Sequence, residues 1–112
     1  MTDKKIKAKE LLNSMLIACK NVLQKEWKNI SPIAELQLKN IVHNLEQITV
    51  LKLEGKITEE QAKLHLTIQK ESFRTILLSF EGIGIITAEK AINAALNTIK
   101  NTINKTIGWK LL

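Results

Sequence analysis

A chain of 112 residues, 45% hydrophobic and 25% charged, is long enough for one core that buries about two-thirds of its unfolded surface, so neither disulfide nor metal is needed to hold it. Four glycines, one proline and no tyrosine disfavour β-rich classes, and the lone cysteine, Cys19, excludes an internal disulfide and reads as a small buried hydrophobe in a reducing compartment. The net charge of +6 is uneven: Lys4, Lys5, Lys7 and Lys9 face only Asp3 across the first nine residues, and beyond Glu89 the charges are Lys90, Lys100, Lys105 and Lys110 alone.

The opening residues run directly into an amphipathic segment without the uninterrupted apolar stretch of a secretory leader, so a cytoplasmic protein is expected. Leu12, Met15, Leu16, Cys19, Val22, Leu23 and Trp27 then recur at steps of three and four, which predicts a first helix over about 3–29. Ile30-Ser31-Pro32 is expected to end it. A residue before proline is pushed out of the helical region, Ser31 can cap, and Pro32 can take the first position of a second helix over about 32–54. That second segment is apolar on more than one side, from Ile33 to Leu53, and needs neighbours on two faces.

The turn Glu54-Gly55-Lys56-Ile57-Thr58 carries the clearest local signal. Gly55 suits the left-handed position past a helix end, and Thr58-Glu59-Glu60-Gln61 is a capping box for a third helix over about 58–81, with Ile57 and Ala62 at the flanking staple positions. A loop this short makes the two helices antiparallel neighbours. The third apolar phase runs through Leu66, Phe73, Leu77 and Phe80 and continues through Gly84, Ala88, Ala91, Ala95, Ile99, Ile103 and Ile107.

Two readings compete across Glu81-Gly82-Ile83-Gly84. Each glycine costs a helix about 1 kcal/mol relative to alanine, and Thr87 followed by Glu89 can open a new helix, which favours a break and a fourth helix over about 87–107. The preserved apolar phase favours one long third helix instead. A fourth helix folding back covers the broad face of the second, so the expected fold is an all-α, antiparallel four-helix bundle in one domain spanning 1–112, with the three-helix form as the alternative.

The sequence holds no catalytic, metal or cofactor set. A di-iron bundle needs Glu-x-x-His on two helices, and neither His43 nor His65 has a glutamate three residues before it; His43 and Glu46 stand in the reverse order. Ser14, Ser31, Ser72 and Ser79 lie in no nucleophile motif, and Gly82-Ile83-Gly84 lacks the strand and further glycines of a phosphate loop. A non-enzymatic protein is expected. Nucleic acid is disfavoured as a partner, since Arg74 is the only arginine and Trp27, Phe73, Phe80 and Trp109 are the only aromatics. Peripheral membrane contact through the lysine-bearing tail ending Trp109-Lys110-Leu111-Leu112 is a weaker alternative than packing of that tail on protein.

Self-association is the leading expectation. The fourth helix carries uncharged Asn93, Asn97, Thr98, Asn101, Thr102, Asn104 and Thr106 where exposed helices normally carry Glu and Lys. Gly84, Ala88, Ala91 and Ala95 form a small-residue strip that admits another backbone closely, and with Ile99, Ile103, Ile107, Trp109, Leu111 and Leu112 they make the predicted interface. The rival expectation is a lysine-driven binder of anionic surfaces, either membrane or nucleic acid.

Overall fold

Leu11, Met15, Cys19 and Leu23, spaced four apart, are the buried side of helix α1, Ala8–Leu23. The computed structural model describes residues 7–112, so the expected helix start near residue 3 and the lysines Lys4 and Lys5 lie outside the described residues. The chain reverses earlier than expected. Gln24 adopts φ 47° and ψ −113°, a backbone region that favours glycine, and a short 3-10 turn over Gln24–Glu26 leads into α2, Trp27–Leu53.

Pro32 corrects the expected boundary: it lies inside α2, and neither it nor Ser31 opens a helix. The reason is packing in phase. Ile30, Ala34, Leu38, Ile41, Leu45 and Ile48 are all buried on one stripe that runs through the proline, and keeping that stripe on the core outweighs the one lost hydrogen bond. Pro32 and Lys28 are both exposed, so water reaches the carbonyl that the proline leaves without an amide partner.

The turn after α2 forms as expected. Lys56 N–H donates to the Leu51 carbonyl at 2.8 Å and Gly55 N–H to that of Lys52 at 3.0 Å, with Gly55 at φ 68°, the paired bonds of a left-handed helix stop. Thr58 and Gln61 then exchange side-chain and backbone bonds of 2.9 and 3.1 Å, closing the capping box at the start of α3, Glu59–Leu78. The third and fourth helices are separate. Ser79–Gly84 forms the break, and α4, Ile85–Ile107, is entered from Gly84 rather than from Thr87. Gly82, at φ 91°, lies so close to the Glu26 carboxylate that an added Cβ would sit 2.9 Å from it, which joins this loop to the α1–α2 turn.

The protein is thus an all-α bundle, 44 × 24 × 19 Å in extent, and no strand occurs among the described residues. α1 runs antiparallel between α2 and α4, while α3 closes the ring on their other side. One core joins all four helices through Met15, Leu38, Leu45, Phe73, Leu77, Ile99 and Ile103. Among the described residues no helix is long and apolar enough to cross a membrane.

Candidate interaction surfaces

The small-residue strip of α4 faces inward. Ala88, Ala91, Ala95, Ile99, Ile103 and Ile107 are all buried, and α1 lies against them closely enough for the Cys19 thiol to donate to the Ala91 carbonyl at 3.6 Å. Small side chains admit a neighbouring backbone in this way, and here the neighbour is the chain's own first helix. Desolvation pushes the Cys19 thiol up to about 12, so it is a packed, unreactive group. Gly84 is exposed and has open space around it, so no close approach depends on it.

The tail is fastened too. The Asn104 carboxamide oxygen accepts from the amides of Leu111 and Leu112 at 2.9 and 3.0 Å, and its nitrogen donates to the Leu112 carbonyl at 3.2 Å. Lys52 donates to the Ile107 carbonyl at the end of α4 and lies 4.8 Å from the centre of the Trp109 ring. Leu111 is buried, and Trp109 and Leu112 are half-buried. Within the folded chain the predicted interface is therefore an internal seam with a clasped tail; of its residues only Gly84 is exposed. Asn93, Asn97, Thr98, Asn101 and Thr102 remain on the outer side, exposed.

Large apolar side chains are exposed on every helix, Ile17 on α1, Leu36 on α2, and Ile85 and Ile86 at the start of α4 among them, and a further group lies at the α2–α3 end. Where α2 gives way to α3, Leu53 is 75% exposed, Leu64 61% and Ile68 55%, and Val50 is exposed as well. A cleft of about 330 Å³ opens there, lined by Leu51, Ile57, Leu64 and Ile68 with Lys56, Gln61 and His65 at its polar edge. Leu64 and Ile68 form no part of the interface predicted from the sequence. Their signal is present in it all the same, since they lie off the Ala62, Leu66, Phe73, Leu77 phase that α3 turns to the core.

Two other depressions are lined differently. One, of about 350 Å³ between α1 and α2, is bordered by Ala8, Leu12 and Val42 together with Lys9, Lys39, His43 and Glu46. The other, between α3 and α4, is ionic: Arg74 Nε donates to Glu89 at 2.9 Å, Nη1 of the same guanidinium stands 3.7 Å from Glu71, and Lys70 flanks them. His43 and His65 line different depressions, and no group of three His, Cys, Asp or Glu side chains suited to a metal occurs among the described residues.

Charge divides between the two helix pairs. Residues 24–84 balance their lysines and arginine with as many glutamates, whereas α1 and α4 with their flanks carry Lys7, Lys9, Lys20, Lys90, Lys100, Lys105 and Lys110 against Glu10 and Glu89. All ion pairs among the described residues involve α2, α3 or the turn between them, and none uses a lysine of α1 or α4. Compared with known proteins, the chain matches no family model, no curated protein and no solved structure.

Proposed function

We propose that this protein is a non-catalytic interaction module of the cytoplasm that assembles with copies of itself, and that it does so through the α2–α3 end of the bundle. The observation that carries this reading is the pair of large apolar side chains left in solvent on the wall of the cleft, Leu64 and Ile68, with Leu53 exposed at the end of α2, while the core is filled by other residues. Exposed apolar groups scattered singly are ordinary, but a cluster around a concave surface with a polar edge marks a place where protein docks. The strip on α4 cannot take that role without opening the bundle, because α1 already covers it.

Light scattering over a range of concentrations tests the reading. The mass is expected to rise above the 12.7 kDa of one chain as concentration increases, and a mass that stays at one chain throughout would refute it. A second reading is favoured by one specific observation, the lysines of α1 and α4 that join no ion pair among the described residues: a weak electrostatic hold on anionic surfaces. Sedimentation with anionic vesicles and a salt-titrated DNA shift address it. Binding that fades as salt rises supports this second reading, and no binding at low salt removes it.

A further inference from the structure

The outer side of α3 carries a second stripe, independent of the one it buries. Gln61, Leu64, Ile68, Glu71 and Thr75 follow one another at alternating steps of three and four, the spacing of a two-helix seam, and every one of them is exposed. We infer that two copies pair through this stripe with their α3 helices antiparallel, about a two-fold axis at the level of Leu66. Such a pairing presupposes the self-association of the α2–α3 end.

The order of side chains selects the antiparallel arrangement. Around that axis Leu64 of each copy meets Ile68 of the other, so the apolar centre is covered from both sides. Gln61 falls opposite Glu71, where a carboxamide can donate to a carboxylate. A parallel arrangement would set Glu71 against its own copy and bring the acidic first turns, Glu59 and Glu60, together. Antiparallel, each Glu71 is kept apart from its copy, and the helix dipoles oppose. The contact is one helix wide, below the area of a permanent dimer, so the pairing is a concentration-dependent one.

Two measurements test the arrangement, native mass and disulfide trapping. Ile68→Glu is expected to abolish the rise in mass with concentration while the helical signal stays unchanged. For trapping, Gln61→Cys and Glu71→Cys are made in separate chains. Under oxidation the two variants mixed are expected to cross-link, and each alone is not, because identical positions across the axis are about 15 Å apart and a disulfide needs Cα atoms within about 7 Å. Buried Cys19 takes no part.

Cross-links in each variant alone would establish a parallel pair and overturn the inference. A mass above one chain that survives Ile68→Glu, with no 61–71 cross-link, would overturn this seam and leave self-association standing. A wild-type mass that never exceeds one chain would overturn both.

Discussion

The α1–α4 seam and the α2–α3 hairpin are both antiparallel helix pairs, yet they are built from different side chains and leave different surfaces. In the seam, Ala88, Ala91, Ala95, Ile99 and Ile103 are fully inward, and the outer side carries mostly lysine, asparagine and threonine, with Ile17, Ile85 and Ile86 exposed toward the α1–α2 turn and the start of α4. In the hairpin the buried stripe of α3 is sparse, Ala62, Leu66, Phe73 and Leu77, while further apolar residues point away from it. Small residues therefore mark where this bundle is tightest, while on α3 two large apolar residues, Leu64 and Ile68, stand one turn apart on the outer side.

That contrast can be broken by mutation. Ile99→Ala, which empties a fully buried position in the seam, is expected to cost about 2–5 kcal/mol in chemical denaturation. Ala91→Leu, which pushes α1 away at the point where Cys19 reaches the Ala91 carbonyl, is expected to cost about 1–3 kcal/mol; a neutral result would mean that the helices are not in close contact there. In the hairpin, Thr58→Ala removes one half of the capping box and should cost about 1 kcal/mol, with Thr58→Ser restoring most of it. The double change of Leu64 and Ile68 to Lys should move stability by less than about 0.5 kcal/mol while abolishing assembly. A thermal scan that shows this variant unfolding early would place both side chains in the core.

Much of the architecture is legible in the sequence because it is written in local chemistry. The Gly55 stop, the Thr58 to Gln61 box and the two glycines before Ile85 act within a few residues of themselves, and each of them sits at the helix boundary it announces. Pro32 misleads for the opposite reason: its local preference is outweighed by a buried stripe extending from Ile30 to Ile48, a tertiary effect. Gln24 announces nothing, since a residue forced to positive φ by the packing of its neighbours need not be a glycine. The Gly84 to Ala95 strip shows the limit for function. Its composition encodes close approach but not whose backbone approaches, and only the path of α1 decides that.

The division of charge has a consequence for how the molecule meets others. With the excess of lysines on α1 and α4 and a neutral balance on α2 and α3, the protein is an electric dipole directed across its long axis. Near an extended negative charge such a body feels a torque before it feels contact, and it turns its α1–α4 flank forward. Because α3 lies diagonally across the ring from α1 and beside α4, two chains joined along α3 would hold their α1 helices, not the whole basic flank, at opposite extremes.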